Sequence, residues 1–277
     1  MSEFAQLNIR NILKLNKTEV KNEFTRLVES INLTKKENYD CSSLNVWSYR
    51  KAKDVRDGVN IKFGNMCNGF PFEIAGIPFF NPETAYVAGA YAREDPESIR
   101  IQHLISKERN GQKCKRVYRH NPEFTHNMRA DFYLYNVEWM QYVLWQKCQQ
   151  NNDFKELVKQ IPIDAHVVEN TTFHHGATAT FWGAKNIELM IARGQIEDEI
   201  ERNQHFKYKY QLTKAQMSAS NSVNNIGCFV GNNVMGKIIK VCSLSLLYGQ
   251  EPPIDYDLLT EKGLTMCGHI MNFNQTK

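Results

Sequence analysis

Long hydrophobic runs are missing from this sequence of 277 residues. The longest apolar stretches, such as Val241–Tyr248, are interrupted by Ser and fall far short of the ~20 residues that cross a bilayer, so no membrane partner is expected. An excess of one charge is missing too. Lys and Arg number 34 against 30 Asp and Glu, a net charge of +4. A protein that coats nucleic acid carries a stronger basic bias or a basic stripe. This balance permits anionic ligands without demanding them. No CxxC pair occurs among the seven cysteines, Cys41, Cys67, Cys114, Cys148, Cys228, Cys242 and Cys267, so a zinc ribbon is unsupported. Reduced, buried thiols in a cytoplasmic protein are expected instead. Met1-Ser2-Glu3-Phe4 is not a basic stretch leading into an apolar one, so no signal peptide is expected. GxGxxG, Walker A, HExxH and GxSxG are absent, as are repeats and low-complexity tracts.

What is present describes a globular chain. Hydrophobic residues make up 42% and charged residues 23%, enough apolar material for a sizeable core and too much for a wholly disordered protein. Val20, Phe24, Leu27, Val28 and Ile31 recur at helical spacing over residues 18–31. Residues 32–43 read as a loop and 44–49 as a short strand. A basic loop with Arg50, Lys51, Lys53 and Arg56 follows and ends at Asp57-Gly58. Residues 59–80 read as short extended pieces joined by turns at Asn68-Gly69 and Gly76. Asn81-Pro82 and Asp95-Pro96 each open a helix, because Asn or Asp caps the first N–H groups and Pro lacks an N–H that would have no partner there. Asn110-Gly111 closes the second of these. Residues 111–130 read as basic and irregular. Helices are expected over 136–150 and 153–160, and a buried strand over 165–169. A charged helix and connector is expected over 187–217. A last helix runs from Val234 to Tyr248 behind Gly231-Asn232-Asn233, and the chain after Lys262 is expected to be loosely held. The predicted class is mainly α, an α+β fold with a few short strands, and a parallel α/β sheet is not expected.

Few residues stand out chemically. Glu83 falls in the first turn of a helix behind Phe79-Phe80-Asn81-Pro82, and a carboxylate beside aromatics can gain the raised pKa of a general acid or base. Taken alone, a Glu there is explained by its attraction to the helix N-terminus. His174-His175 is a poor metal site, since adjacent histidines point apart, and no metal or cofactor is expected. Trp139 and Trp145 fit a helix pattern and read as packing, whereas Trp47 and Trp182 adjoin turns and are candidates for stacking on a ligand. The Lys/Arg cluster over 107–119 reads as a solvated loop, although it could contact phosphate. Gly227–Lys237 is Gly-rich and opens a helix whose free N–H groups could hold a phosphate.

Taken in order, these residues resemble a known family, the YbiA-like or NADAR superfamily. Its first motif is matched by Val46-Trp47-Ser48, Gly64-Asn65, Pro71-Phe72, Gly76, Phe79 and Glu83. Its second is matched by Arg129-Ala130-Asp131-Phe132, then Met140 and Lys147. Leu157, Val167-Val168-Glu169, Trp182-Gly183 and Gly231–Gly236 follow in order, so the resemblance spans about 44–248. Three positions depart from the pattern. Ala88-Gly89-Ala90-Tyr91 lacks the usual Lys, Ala179 stands for an Asp, and Ser243 for an Arg.

The resemblance implies a compact helical fold that recognises ADP-ribose-like or phosphoribosyl nucleotides, including ADP-ribosylated nucleic acid, and cleaves N-glycosidic bonds. It implies an N-terminal helical extension over 1–43, a NADAR-like domain over 44–250 with an insertion at about 187–226, and a C-terminal tail over 251–277. It assigns Glu83 as acid/base or ribose-positioning residue and Lys51 as the substitute for the missing amine nucleophile. Trp47, Ser48, Asn65, Phe79, Asp131, Phe132, Trp182, Gly183, Gly231 and Asn233 are the implied ligand-binding residues. Arg129 and Asp131 can equally form a capping network. The departures raise an alternative: a binder or sensor of NAD-derived nucleotides that has lost catalysis. A third reading is an interaction protein whose insertion docks a partner.

Overall fold

The computed structural model describes residues 12–50, 54–56, 58–172, 174–186, 188 and 226–273. The described residues are mainly helical with short strands, an α+β arrangement as the periodicity predicts. None of the described helices is long and apolar enough to cross a membrane. None of the seven cysteines, all of them described, is in a disulfide. The chain divides into two units, Met1–Gly64 with Leu157–Gln250, and Asn65–Glu156 with Glu251–Lys277, a division that cuts across the expected 44–250 domain.

In the first unit the Lys17–Glu29 helix begins in a reciprocal cap. The Asn16 side chain accepts the N–H groups of Thr18 and Glu19, both at 3.0 Å, and the Glu19 carboxylate accepts the N–H of Asn16 at 2.8 Å. Its Phe24 and Val28 pack with Val241, Leu244 and Tyr248 of the Val234–Tyr248 helix, flanked by Val20, Leu27 and Ile31. That second helix is buried on almost every side, as its apolar composition requires. The segment expected to be a loop contains a strand, Glu37–Asp40, paired antiparallel with Cys228–Gly231. Lys185–Asn186 flanks the same partner. Sequence distance hid this pairing, because the partner strand lies far along the chain.

Val46–Tyr49 pairs parallel with His166–Glu169, the one parallel strand pair among the described residues. Asn233 completes its outer edge. It is left-handed, with φ +56°, and its side-chain amide donates to the Val167 carbonyl at 2.8 Å and accepts the Glu169 N–H at 2.9 Å. A neighbouring strand would offer these two groups the same pair of bonds. Gly236 lies so close that a Cβ there would stand 2.2 Å from the Val167 oxygen.

The second unit opens with a hairpin. Phe72–Ile74 pairs with Ile77–Phe79 around Ala75-Gly76, whose φ values of +50° and +75° are those of a two-residue hairpin turn. The Pro82–Gly89 helix follows, capped by the Asn81 side chain on the Thr84 N–H at 3.1 Å, and all eight of its residues are buried. It lies against the Phe132–Gln150 helix through Gly89. The Tyr135 hydroxyl donates to the Gly89 carbonyl at 3.0 Å and the Trp139 indole to the Ala85 carbonyl at 3.2 Å. The Pro96–Ser106 helix starts at Asp95, as predicted.

Residues 111–130 are not irregular. Gly111–Cys114 and Pro122–Thr125 are short helices, and Lys115–Arg119 between them is a π-helix. Asn110, read as a closing signal, instead caps the next turn through the Lys113 N–H. The segment from Gly263 to Phe273 is held rather than loose. Gln102 donates to the Thr265 carbonyl at 2.9 Å and accepts the Cys267 N–H at 2.7 Å, while Leu264, Met266 and Phe273 are buried. Its position near the end of the sequence prompted the expectation of a loose tail, whereas Leu264, Met266, Met271 and Phe273 anchor it. The 187–217 helix and connector lies outside the described residues, apart from Glu188.

Lys147 is wholly buried, with its ammonium 3.7 Å from the Phe154 ring centre and 5.0 Å from that of Phe70. Burial lowers its pKa to about 8. The unfolded chain therefore holds more protons than the folded one between about pH 8 and 10. Stability attributable to Lys147 rises with pH across that window and is lost as pH falls through it. The Lys147→Met variant should flatten this rise in denaturant titrations at about pH 7 and 9.5. At Gly89 the two effects oppose each other. Alanine favours a helix by ~1 kcal/mol over glycine, but its Cβ would sit 2.1 Å from the Trp139 nitrogen. Overpacking costs ~1–3 kcal/mol or more, so Gly89→Ala should lower the unfolding midpoint.

Candidate active site around Glu83

Glu83 stands at the second position of its helix, immediately after the Asn81 cap and Pro82. Its backbone N–H donates to the Asn65 carbonyl at 3.0 Å. The Asn65 side-chain amide donates to one Glu83 carboxylate oxygen at 2.5 Å. Asn65 therefore both fixes the start of the helix and grips its carboxylate. The other oxygen, Oε1, is buried and has no hydrogen-bond partner among the described residues. Glu83 is 3% exposed. Gly111 leaves room for it, since a Cβ on Gly111 would lie 3.2 Å from that of Glu83 and 3.0 Å from the Asn81 oxygen.

Burial raises the Glu83 pKa above its ordinary value, because the charged form loses its water. Lys115, Arg119 and the Asn65 hydrogen bond act the other way and favour the carboxylate. Both cations come from the π-helix, where residues four apart lie on nearly one face. Single π turns inside helices are rare and recur at functional sites. The Arg119 guanidinium also lies 5.1 Å from the centre of the Tyr86 ring, one turn along from Glu83. Burial raises the Tyr86 pKa as well, against Arg119 and a hydrogen bond from Asn136 that lower it. The result is a desolvated carboxyl group with one oxygen held, one buried oxygen without a hydrogen-bond partner among the described residues, and two half-buried cations beside it. Chemically, a carboxyl group with a raised pKa is a candidate proton donor or acceptor, and the two cations place positive charge against an anionic group.

Asn65 and Glu83 are expected site residues that the structure joins by a side-chain hydrogen bond. Phe79 and Phe132 belong to the same unit but contribute no exposed surface. Phe79 stacks on Phe72, and Phe132 packs on Tyr86 and Tyr135. Asp131 forms a two-pronged ion pair with Arg129, both contacts 2.9 Å, and Arg129 also donates to the Ala92 carbonyl at 2.8 Å. That network ties the start of the long helix to the segment after Gly89, while the Asp131 side chain makes no capping bond to the helix.

The remaining expected residues lie in the first unit. Trp47 and Ser48 are fully buried on the parallel strand, so Trp47 offers no exposed face to stack on. Gly183 and Gly231 mark close backbone approaches. A Cβ on Gly183 would stand 2.6 Å from the Glu169 carbonyl, and one on Gly231 would stand 2.3 Å from the Gly183 carbonyl. Asn233 spends its side chain on the strand edge described above. Trp182 is half-buried and meets Phe181 edge to face, with ring centres 5.4 Å apart. Lys51 lies outside the described residues. His174 and His175 are exposed, and the described residues contain no group of three or more His, Cys, Asp or Glu arranged to hold a metal.

Lys115, Arg119 and Tyr86 were missed as site residues. The Lys/Arg cluster at 107–119 was visible, but nothing local marked two of its members as neighbours of Glu83.

No protein family matches the chain, and no curated protein matches it. Among solved structures, the NMR structure of the E. coli protein YbiA is similar to it. The two share 18% identity and superpose with a TM-score of 0.39, over 50% of this chain and 71% of that one.

Both Asn65 and Arg119 favour the charged form of Glu83. Removing either should move its pKa further up. Carboxyl NMR titration of Asn65→Ala and Arg119→Gln should show that rise in each, and an unchanged Glu83 titration in both would contradict the described geometry.

Proposed function

We propose that this protein hydrolyses the N-glycosidic bond of an ADP-ribosyl or phosphoribosyl compound, ADP-ribosylated guanine being one example. The observation that carries the reading is the buried Glu83 carboxyl with its raised pKa, gripped by Asn65 and flanked by Lys115 and Arg119. The ordered motifs that resemble the NADAR superfamily support it independently.

Cleavage of such a bond passes through an oxocarbenium-like state at the anomeric carbon. Glu83 donates its proton to the departing nitrogen as the C–N bond breaks. The resulting carboxylate lies beside the developing positive charge and stabilises it. Water then forms the new C–O bond and returns a proton to Glu83. Lys115 and Arg119 supply the positive charge that a substrate phosphate requires. In the variant route through an amine, the neutral Lys51 amine displaces the base from the same carbon, with Glu83 giving its proton to the departing nitrogen and the new C–N bond replacing the old one. The attached amine loses a proton, the ring C–O bond opens to a Schiff base, and water hydrolyses it to free the sugar and the amine. The compartment that fits seven free cysteines is the reducing cytoplasm.

One observation favours the second reading, a nucleotide binder without catalysis. Tyr91 stands where the resembled family carries Lys; it is buried, and its hydroxyl donates to the Tyr118 carbonyl. The two readings separate in one experiment. The protein is incubated with NAD, ADP-ribose, GMP, a phosphoribosyl amine and ADP-ribosylated guanosine; unfolding midpoints are recorded and each mixture is resolved by chromatography. A ligand that binds only the folded state raises the midpoint. Release of free base or amine, lost by ~100-fold or more in Glu83→Gln with binding retained, is the expected outcome. Equal turnover by Glu83→Gln would remove Glu83 from the chemistry. Stabilisation by ligands recovered intact would favour the binder.

A further inference from the structure

The first unit contains a cavity of about 270 Å³, none of it lined by the residues around Glu83. Ligand pockets usually hold ~300–1,000 Å³, so this one suits a small molecule and is too small for a dinucleotide. Its walls are of two kinds. Leu27, Ile31, Ile163 and Leu244 form an apolar side. Lys237, Lys240, His166, Tyr39 and the carboxylates Glu37 and Asp164 form a polar end.

The two lysines differ. Lys237 spends its three donors on the carbonyls of Asn32 and Lys35, both at 2.7 Å, and on the Glu37 carboxylate at 3.0 Å. Its charge is matched. Lys240 is 8% exposed and donates to the carbonyls of Pro162 and Ile163, both at 2.7 Å. An ammonium has three donors, and no described carboxylate is ion-paired with Lys240. Asp164 exerts an attraction on it, but its carboxylate accepts instead from the Asn45 side chain at 3.1 Å. Beside the cavity lies a more open depression that shares Glu37, Tyr39 and His166 with it and is bordered by Lys35 and Lys36. The approach therefore carries two lysines, and one buried cation at the apolar wall has no ion pair among the described residues.

We infer that this cavity binds a small aliphatic monocarboxylate, with the carboxylate on the Lys240 ammonium and the alkyl tail along Leu27, Ile31 and Leu244. A single negative charge matches the Lys240 ammonium, which has no ion pair among the described residues. An inorganic phosphate would leave the apolar wall bare, and a neutral alcohol would leave the cation unpaired. Burial lowers the Lys240 pKa to about 7. The charged and titratable groups facing it are Asp164, His166, Lys237 and Glu37. Burial and Lys240 also lower the His166 pKa, against Glu37 and Asp164, which favours the neutral imidazole. A bound carboxylate favours the ammonium form, so binding takes up a proton above pH 7 and weakens as pH rises.

The test is calorimetric titration of the full chain with sodium hexanoate at about pH 6.5 and pH 9, with hexan-1-ol and inorganic phosphate as comparison probes. Stoichiometric hexanoate binding is expected, at least ~10-fold weaker at the higher pH and at least ~10-fold stronger than either comparison probe. Lys240→Met removes the charge at similar volume and should abolish binding. Leu27→Trp fills the cavity from its rim and should do the same while leaving Lys240 in place. Circular dichroism and unfolding midpoints confirm that both variants are folded; if Lys240→Met does not fold, Leu27→Trp and the pH series carry the test. No hexanoate binding to wild type, equal binding of hexanol, tighter binding of phosphate, or hexanoate binding retained in either folded variant would each overturn the inference.

Discussion

The candidate site depends on the complete burial of one short helix. Pro82–Gly89 has no solvent-facing side, so the carboxylate in its first turn is stripped of water. An unpaired buried carboxylate costs several kcal/mol. The surrounding residues lower that cost without cancelling it. Asn65 holds one oxygen, and Lys115 and Arg119 contribute charge from a π-helical turn, yet the Glu83 pKa remains raised. On the other side of the same helix, Gly89 lets Trp139 and Tyr135 approach and bond to helix carbonyls. Core packing and site electrostatics therefore meet in eight residues.

The two units treat buried charge in different ways. In the second, an acid is buried beside cations that favour its ionised form without dominating it. In the first, Lys237 is matched by Glu37 and backbone carbonyls, while Lys240 has carbonyls alone. Lys147 is a third case, an ammonium against two phenylalanine faces. Each lowers the lysine pKa for the same reason: burial penalises the charged form more than its neighbours restore it.

Much of the architecture was legible locally. Asn16, Asn81 and Asp95 begin helices because a short polar side chain can accept N–H groups that a helix leaves unbonded. The Val234–Tyr248 helix and the Phe72–Phe79 hairpin follow from apolar patterning and a turn that tolerates positive φ. The Glu37–Asp40 strand was not legible, since its partner begins at Cys228. The helical turns at 111–125 were obscured by their basic composition. The order on Gln102 of the segment after Lys262 depended on contacts far along the chain.

For the site, the sequence by itself determined that Glu83 stands in the first turn of a helix and that a Lys/Arg cluster exists near 107–119. Both follow from capping rules and composition, which act over a few residues. Tertiary structure decided the rest. It brought Asn65 onto the Glu83 carboxylate, set Lys115 and Arg119 near it, and buried Trp47, Phe79 and Phe132 in the core. It turned Asn233 from a phosphate-binding candidate into the completed edge of a parallel strand pair. Solvent exclusion and long-range pairing govern those outcomes, and neither is encoded in the spacing of neighbouring residues.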